Sequence, residues 1–374
     1  MKYMKLALEL AEKFRGKTSP NPMVGAVVVK IGEIVGSGAH QCAGAPHAEV
    51  FALDEAGEKA KGATLYVTLE PCCHHGKTPP CTDKIINAGI SKVVIAAKDP
   101  NPLVACKGIQ QLRVADIKVE TGILEADAKK QNEIFFHYIQ TKKPFVIAKM
   151  AISLDGKIAT SNGNAKWISN AESRIVTHEL RDQVDTILIG KNTLINDDPS
   201  LNVRLDSIKE GPQKIIIIPK LDITAEKLSK MKIYKWSKSK PLIIICHESN
   251  ATNDIIAKFQ NYNIHIIPIS GTLENLNIDE ILTKLGQLEI TSLLLEGGGG
   301  VYTSFLKAGF INKFHIFQAP ILIGNDGIPM LKNLSINSID SAYNLENVTT
   351  EKLDNNLHVI GYFGKRKEDK CLPE

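Results

Sequence analysis

The sequence predicts an α/β protein that consists of two domains. The chain has 374 residues, whereas one domain holds about 100–200 residues. Predicted strands and helices alternate along the chain, which favours mostly parallel sheets with helices on both faces. A breaker run at 142–144 (Lys-Lys-Pro) separates two such series. We therefore expect a first domain at 1–143, a second domain at 144–367 and a solvated tail at 368–374.

The first domain is predicted to begin with an amphipathic helix, since apolar residues recur at helical spacing from Met4 to Phe14. A cluster of breaker residues at 16–22 ends it. A hairpin-like turn at 30–33 joins the first two of the strands, which are predicted at 24–29, 34–38, 63–68, 93–97 and 118–122. The other helices are predicted at 47–56, 82–88, 108–114 and 126–139.

The second domain repeats the alternation, beginning directly after the breaker run. Short apolar runs predict its strands at 145–151, 186–189, 214–218, 242–246, 264–268, 292–295 and 313–319. Helices are predicted at 172–181, 279–287 and 302–308. The Lys-rich stretch from 205 to 240 is predicted to be irregular surface loop.

Composition excludes several classes of protein. A net charge of +4 gives no support for nucleic-acid binding. No apolar run reaches the ~18 residues that a membrane helix needs, and the N-terminus lacks the apolar core of a signal peptide. Without a secretion signal, the seven cysteines favour metal binding or catalysis over disulfides. We therefore expect a cytoplasmic protein with no nucleic-acid or membrane partner.

The strongest chemical signal is a histidine and two cysteines with the pattern of a metal site. His47-Ala48-Glu49 is followed by Pro71-Cys72 and then by Cys81. Three protein ligands with a fourth position open are typical of catalytic zinc, whereas structural zinc has four ligands. The pattern matches the zinc deaminase signature, except that eight residues separate the two cysteines instead of two.

Two further features of this pattern bear on chemistry. His47 and Cys81 are predicted at helix N-termini, where the partial positive charge favours a thiolate. A catalytic zinc supplies a water nucleophile at neutral pH, and Glu49 is placed to move that water's proton to a leaving amine. The alternative is a structural zinc site that takes its fourth ligand from Cys73, His74 or His75.

The second domain contains a glycine-rich turn at 296–300, between a predicted strand and a predicted helix. Consecutive glycines allow backbone N–H groups to approach a phosphate, and the helix N-terminus adds a favourable field. The turn lacks the dinucleotide fingerprint G-x-G-x-x-G. By itself, it is equally consistent with a plain strand-to-helix connection.

The run at 68–81 (TLEPCCHHGKTPPC), together with 46–49 (PHAE), closely resembles the bifunctional riboflavin-biosynthesis deaminase–reductase family. The resemblance extends to 20–25 (PNPMVG) and 99–102 (DPNP). The eight-residue loop between the cysteines is typical of that family rather than of cytidine or tRNA deaminases. Members usually carry Ser at the position of Cys73, so we expect this thiol not to be a ligand.

The resemblance implies a cytidine-deaminase-like α/β/α sandwich for the first domain, with one Zn²⁺ per chain. It implies that His47, Cys72 and Cys81 hold the zinc and that Glu49 is catalytic. The substrate would be a pyrimidine with a ribosyl 5-phosphate. The residues expected to contact it are Asn21, His40, His74, Lys77 and Thr78.

Four runs in the second half, 152–159, 166–169, 196–204 and 295–298, resemble the reductase half of the same family. This implies a dihydrofolate-reductase-like α/β domain that uses NADPH. The implied NADPH contacts are Ala151, Trp167, Thr193, Asp197, Gly298, Gly299, Gly300, Val301, Tyr302, Thr303 and Ser304. The implied substrate contacts are Ala165, Arg181, Leu201, Arg204 and Glu296, of which the two arginines could grip a phosphate.

Two departures from the family pattern concern the reductase half. Ala165 stands where many members have a Ser that contacts substrate, and Pro219-Lys220 stands where members often have Asp-Ser. We expect a homo-oligomer, a dimer or tetramer, that deaminates and then reduces a phosphoribosyl pyrimidine. The alternatives are a deaminase with an inactive reductase half and a non-catalytic regulatory protein that binds zinc and nucleotide.

Overall fold

The computed structural model describes residues 1–73, 79–101, 106–166 and 168–363. The chain divides into two compact units, residues 1–142 and 143–374. The expected tail at 368–374 lies outside the described residues. Within the described ranges, no helix has the length and apolar character needed to cross a membrane.

The first unit follows the predicted order of helices and strands closely. Its strands are β1 (Gly25–Lys30), β2 (Glu33–Ala39), β3 (Thr64–Leu69), β4 (Lys92–Ala97) and β5 (Lys118–Thr121). Its helices are α1 (Lys2–Glu12), α2 (Ala48–Ala56), α3 (Cys81–Asn87), α4 (Lys107–Val114), α5 (Glu125–Gln131) and α6 (Glu133–Thr141).

The five strands form one sheet between two layers of helices, in the order β2-β1-β3-β4-β5. Apolar side chains of α2, α3 and α4 pack on one face of the sheet, and those of α1, α5 and α6 pack on the other. This is the expected α/β/α sandwich. Gly36 and Gly38 allow α2 to lie close to β2, since a Cβ at Gly36 would lie 2.1 Å from the carbonyl oxygen of Ala52.

Two predictions for this unit were wrong in detail. The sheet is mixed rather than mostly parallel, because β1 pairs antiparallel with both β2 and β3. The helix predicted at 126–139 is divided into α5 and α6 at Asn132. The side chain of Asn132 is buried, where it accepts the N–H of Met23 at 2.8 Å and donates to the carbonyl of Met23 at 2.9 Å. These two bonds tie the helix break to the segment that precedes β1.

The second unit contains more elements than the sequence predicted. Its strands are β6 (Phe145–Ser153), β7 (Lys157–Ala159), β8 (Thr186–Gly190), β9 (Val203–Arg204), β10 (Ile208–Lys209), β11 (Gln213–Ile217), β12 (Leu242–His247), β13 (Ile264–Ile269), β14 (Ser292–Leu295), β15 (Lys313–Ala319), β16 (Ile328–Pro329), β17 (Leu345–Leu353) and β18 (Asn356–Phe363). Its helices are α7 (Ala171–Gln183), α8 (Lys191–Asp197), α9 (Ala225–Ser229), α10 (Lys232–Lys235), α11 (Asn253–Gln260), α12 (Ile278–Gln287) and α13 (Gly299–Lys307).

A nine-stranded sheet in the order β13-β12-β11-β8-β14-β6-β15-β18-β17 is the framework of this unit. The pairs from β13 to β15 are parallel, whereas β18 pairs antiparallel with β15 and with β17. Helices α12 and α13 pack on one face of the sheet. Because all parallel strands end at one edge, the loops that follow β6, β14 and β15 meet there, where ligands of such sheets bind.

The prediction that 205–240 is irregular surface loop was wrong. Besides β11, the stretch contains the short helices α9 and α10, which bury Leu228 and Ile233. Its Lys214 is also buried, and its ammonium donates to the backbone carbonyls of Glu210, Pro212 and Trp236. Composition alone cannot distinguish a buried lysine whose N–H groups are all hydrogen-bonded from a lysine in solvent.

Candidate active sites of the two units

His47, Cys72 and Cys81 converge in the first unit. His47 Nδ1 lies 3.1 Å from Cys81 Sγ and 3.5 Å from Cys72 Sγ, and all three ligand atoms lie within 4.8 Å of one another. Tetrahedral zinc, with bonds of about 2.0–2.3 Å, requires ligand atoms roughly 3.5 Å apart. The arrangement therefore fits a zinc ion held by one imidazole and two thiolates.

The secondary structure explains why these three side chains meet. His47 immediately precedes α2, and Cys81 is the first residue of α3, so both lie at helix N-termini as predicted. Cys72 follows the end of β3. The backbone N–H of Cys81 points to Cys72 Sγ at 3.4 Å, and the N–H of Thr82 donates to the carbonyl of Cys72 at 3.2 Å. The first turn of α3 therefore fixes Cys72.

Glu49 lies in the first turn of α2 and is only 3 % exposed. Its carboxyl group is within hydrogen-bonding range of the Cys81 thiol. Burial and, to a smaller extent, the nearby Cys72 together raise the pKa of Glu49 to about 7. The residue expected to transfer protons thus lies beside the candidate metal ligands rather than on the surface of the helix.

Asn21 and His40 form a pair beside the candidate metal ligands. Asn21 Nδ2 lies 3.1 Å from His40 Nε2, and the His40 ring packs edge-on against the His47 ring with centroids 5.5 Å apart. His40 is buried, and burial lowers its pKa. The other expected substrate contacts in this unit, His74, Lys77 and Thr78, lie outside the described residues, as does His75.

In the second unit, a buried charge cluster surrounds Glu296. Arg181 donates from Nε to Glu296 Oε1 at 2.6 Å and from Nη2 to Oε2 at 2.9 Å. Lys149 Nζ lies 3.9 Å from Oε2. The three side chains are between 9 % and 13 % exposed. Burial tends to raise the pKa of Glu296, but Arg181 and Lys149 outweigh it and lower that pKa to about 2.

The contact with Glu296 changes the role that Arg181 can have. Its paired N–H groups hold Glu296, and Nη1 donates to the carbonyl of Asn202 at 3.1 Å. The expected contact of Arg181 with a substrate phosphate stays a prediction, and in this structure its Nε and Nη2 are both engaged with Glu296. Arg204 is exposed at β9, and its expected contact with a substrate phosphate also stays a prediction.

The glycine turn precedes α13, whose first turn offers open space on one side. A Cβ at Gly298 would meet nothing nearer than Thr193 Oγ1 at 4.0 Å, and a Cβ at Gly300 would lie 3.5 Å from Nζ of Lys332. By contrast, a Cβ at Gly299 would lie 2.8 Å from the carbonyl oxygen of Pro329. A space between a hydroxyl, an ammonium and bare backbone suits a phosphate group.

The remaining predicted residues of this unit are distributed around the carboxyl ends of the strands. Tyr302 and Thr303 are buried, and their hydroxyls donate to the carbonyls of Lys149 and Gly299. Ala151 lies on β6, Thr193 and Asp197 on α8, Leu201 in a buried turn before β9, and Ala165 in an exposed loop. Trp167 lies outside the described residues. The roles of all these residues stay predictions.

Comparison with known proteins assigns each unit to a protein family. Residues 1–97 match the cytidine and deoxycytidylate deaminase zinc-binding region, and residues 144–359 match the RibD C-terminal domain. The chain is 46 % identical to the riboflavin biosynthesis protein RibD of Aquifex aeolicus over 358 residues, which cover 96 % of this chain and 97 % of that protein. The chain belongs to the RibD family.

Solved structures of RibD proteins have the same two-unit fold. One crystal form of Acinetobacter baumannii RibD aligns with a TM-score of 0.87 at 34 % identity, covering 97 % of this chain and 98 % of that chain. A Thermotoga maritima protein, described as a diaminohydroxyphosphoribosylaminopyrimidine deaminase/5-amino-6-(5-phosphoribosylamino)uracil reductase, aligns with a TM-score of 0.82 at 35 % identity over 97 % and 98 % of the two chains. The expected fold classes and the bifunctional deaminase–reductase activity of riboflavin biosynthesis are confirmed.

Zinc and NADPH are the cofactors of RibD enzymes, as predicted. The donor set of one imidazole and two thiolates suits zinc, and the open side of the glycine turn suits a phosphate of a dinucleotide. In this chain, His47, Cys72 and Cys81 would hold the zinc. The backbone at 298–300, with Thr193, would face the dinucleotide.

Sequence reasoning missed two charged residues of the reductase unit. Lys149 lies in the apolar run of β6, where a single charged residue among buried ones was the available signal. Lys332 lies in a loop whose sequence offered no signal at all. Both became visible only through contacts, with Glu296 and with Gly300 respectively.

Proposed function

We propose that the first unit deaminates 2,5-diamino-6-ribosylamino-4(3H)-pyrimidinone 5′-phosphate and that the second unit reduces the product to 5-amino-6-(5-phospho-D-ribitylamino)uracil. In this proposal, residues 1–143 form the deaminase domain and residues 144–367 form the reductase domain. The observation that carries it is the convergence of His47, Cys72 and Cys81 beside the buried Glu49. The description of the Thermotoga maritima relative supports the choice of substrate.

In the deaminase step, water adds to the ring carbon that bears the 2-amino group, and the carbon–nitrogen bond breaks to release ammonia. Bound zinc makes the water nucleophilic at neutral pH. Glu49 takes a proton from the water and delivers it to the departing amine. Asn21 presents its side-chain carbonyl oxygen and its second N–H to the edge of the pyrimidine, while His40, whose ring nitrogens contact Asn21 Nδ2 and the carbonyl of Pro46, orients it.

In the reductase step, NADPH supplies a hydride to C1 of the ring-opened ribosyl group. The chain's own contribution is to hold the sugar against the cofactor and to provide a proton. Lys149, in the middle of β6, is the buried group that can donate the proton, whereas Glu296, directly after β14, is ionised and can hold the sugar as a hydrogen-bond acceptor. Arg181 keeps Glu296 ionised and oriented, and Arg204 is the candidate for the phosphate.

A paired assay tests the proposal. Purified protein is given freshly generated substrate, and ammonia release and NADPH oxidation are followed with and without a zinc chelator. We expect chelation to stop ammonia release, and we expect NADPH oxidation to continue when deaminated substrate is supplied directly. Ammonia release without NADPH oxidation would support a deaminase whose reductase half is inactive. Neither activity in folded, zinc-loaded protein would contradict the proposal.

We further propose that the protein is a homo-oligomer, a dimer or a tetramer, as the resemblance implies, and that it is cytoplasmic, as expected from the sequence. Light scattering on purified protein should give two or four times the chain mass of 41.0 kDa. A mass equal to that of one chain would contradict this prediction.

A further inference from the structure

Glu70 is a buried carboxylate that neither proposed reaction uses. It follows β3, lies two residues before Cys72 and is 4 % exposed. Its Oε2 accepts the backbone N–H of Asp99 at 3.3 Å and that of Cys106 at 3.1 Å, and its Oε1 accepts the N–H of Ile109 at 3.2 Å. Three backbone donors thus converge on one side chain.

The three backbone donors belong to residues that have no role in the proposed deamination. Asp99 begins the run DPNP that the family resemblance includes, and its Oδ1 accepts the N–H of Asn101 at 2.8 Å. Cys106 immediately precedes α4, and Ile109 lies in the first turn of that helix. The first N–H groups of a helix lack partners within the helix, and a carboxylate beside them is also favoured by the helix dipole. Glu70 therefore accepts the otherwise unpartnered backbone N–H groups at the start of α4, although it lies outside that helix.

Helix α4 is in turn in contact with Pro71, the residue before the candidate metal ligand Cys72. A Cβ at Gly108 would lie 2.2 Å from the carbonyl oxygen of Pro71, so the helix and the residue before Cys72 are in direct contact. On the other side of Cys72, Thr82 donates from its hydroxyl to Gln111 of α4 at 2.9 Å and from its N–H to the carbonyl of Cys72 at 3.2 Å. The backbone of Cys72 is thus held between α4 and the start of α3.

We propose that Glu70 is a positioning residue of the deaminase, in addition to the residues that contact metal or substrate. Its carboxylate binds the backbone N–H of residue 99 and holds α4 against Pro71, and this contact with Pro71 directs the Cys72 thiolate toward His47 and Cys81. The inference rests on the proposed deaminase function of this site. Groups that orient metal ligands in this way affect metal geometry and turnover although they touch neither metal nor substrate.

The test is Glu70→Gln, which keeps the size of the side chain but replaces one acceptor oxygen with an N–H donor. That donor faces the backbone N–H groups, so at least one of the three bonds is lost. We expect one zinc per chain to remain and kcat for deamination to fall by about 10–100-fold, a larger change than that in KM. In cobalt-substituted protein, the thiolate-to-cobalt and d–d absorption bands should shift.

Two variants and one internal activity serve as controls. The reductase rate of the same Glu70→Gln chain should stay within about twofold of the original, since the second unit is unchanged. Asp185→Asn is the matched control, because Asp185 also accepts backbone N–H groups, from Thr291 and Ser292, but in the second unit. It should leave deamination and the cobalt spectrum unchanged.

Leu112→Ala is a control for the packing of α4, which it weakens without removing a hydrogen bond of Glu70. This variant should not shift the cobalt bands at temperatures where the unit is folded.

Gly108→Ala keeps Glu70 but forces α4 away from Pro71, and it should reproduce both the loss of kcat and the spectral shift even if Glu70→Gln does not fold. An unchanged cobalt spectrum in both variants would overturn the proposal, as would deamination within about threefold of the original in whichever variant folds. Failure of the original protein to deaminate would instead contradict the proposed function. The two outcomes can be told apart, because the cobalt spectra report on the geometry at Cys72 even without turnover.

Discussion

Arg181 and Glu296 form a bidentate ion pair inside the reductase unit, although 115 residues separate them. Helix α7 carries Arg181, and Glu296 follows β14, directly before the glycine turn. Lys149 extends the pair from the neighbouring strand β6. The cluster therefore has two buried cations, Arg181 and Lys149, for one carboxylate. The folding stability of the unit depends on Glu296, because both cations need its negative charge.

The first prediction is that Glu296→Gln lowers the free energy of unfolding of the second unit by about 3–5 kcal/mol, because it leaves Arg181 and Lys149 buried without an anion. NADPH oxidation should be lost, while ammonia release continues. Urea titration of the two variants provides the measurement. Asp279→Asn is the control, since it removes an exposed ion pair with Lys143 and should cost less than about 1 kcal/mol. Equal costs for the two substitutions would contradict the prediction.

The second prediction concerns the stability of the same unit below neutral pH. His315 Nδ1 and His358 Nε2 lie 3.1 Å apart and both rings are buried. Burial lowers the pKa of His315 to about 3, and it also lowers the pKa of His358. As pH falls from about 6.5 toward 3, the unfolded chain takes up a proton at His315 that the folded unit does not, and the lowered pKa of His358 acts in the same direction.

The free energy of unfolding should therefore decrease as the pH falls, by about 1.4 kcal/mol per pH unit from His315 within that window, and His358 adds to the decrease. His315→Asn should remove part of this slope, and the exposed His265 provides the control as His265→Asn. The measurement is urea unfolding at a series of pH values between about 7 and 4. An identical slope in the original protein and in His315→Asn would show that the folded unit does not keep His315 neutral.

The helices and strands that could be predicted from the sequence are those whose apolar residues are buried in the core. The hydrophobic spacing of α1 and the apolar runs of β6 and β12 report burial directly, and each of these elements formed where it was expected. Strand β17 was missed because it lies at the edge of the sheet with nearly all its residues exposed, so burial imposed no alternation on its sequence. Helix α11 was also missed, although Thr252 at its N-cap, which accepts the N–H of Ile255, was a usable signal.

The two sites differ in how far sequence could predict them. The metal cluster was predictable because His47 and Cys72 belong to local motifs with known spacing. The charge cluster was not, because Lys149, Arg181 and Glu296 meet only through the order of the strands. The ion pair of Arg181 with Glu296 could not be predicted, since a lone arginine on a helix does not reveal which carboxylate the fold brings to it.

The third prediction tests the role of Glu49. Glu49→Gln keeps the shape of a buried side chain beside the metal ligands but cannot accept a proton. We expect ammonia release to be abolished, while one zinc per chain and the reductase rate are retained. The matched control is Asp54→Asn, on the same helix but in an exposed ion pair with Lys84, and it should deaminate normally. A Glu49→Gln chain that releases ammonia at the full rate would exclude this residue as the proton carrier.

The last prediction concerns Lys332 and the dinucleotide. Its ammonium lies beside Gly300, at the N-terminal end of α13, where the helix dipole disfavours a cation unless an anion lies between them. A phosphate of NADPH in the open space at the glycine turn would be that anion. Lys332→Gln should therefore raise the Kd of NADPH by about tenfold, which corresponds to about 1.4 kcal/mol. Titration of NADPH fluorescence in the absence of substrate measures this directly.

Lys307→Gln is the matched control for Lys332→Gln, because Lys307 is an exposed lysine at the opposite end of the same helix, and its removal should leave NADPH affinity unchanged. Titration with NADH identifies the phosphate concerned. If Lys332 contacts the pyrophosphate, which both dinucleotides carry, the substitution weakens both by the same factor. If it contacts the 2′-phosphate, only NADPH binding weakens. If Lys332→Gln leaves the affinity for both dinucleotides unchanged, no phosphate of the cofactor lies between the ammonium of Lys332 and the N-terminus of α13, and the prediction is wrong.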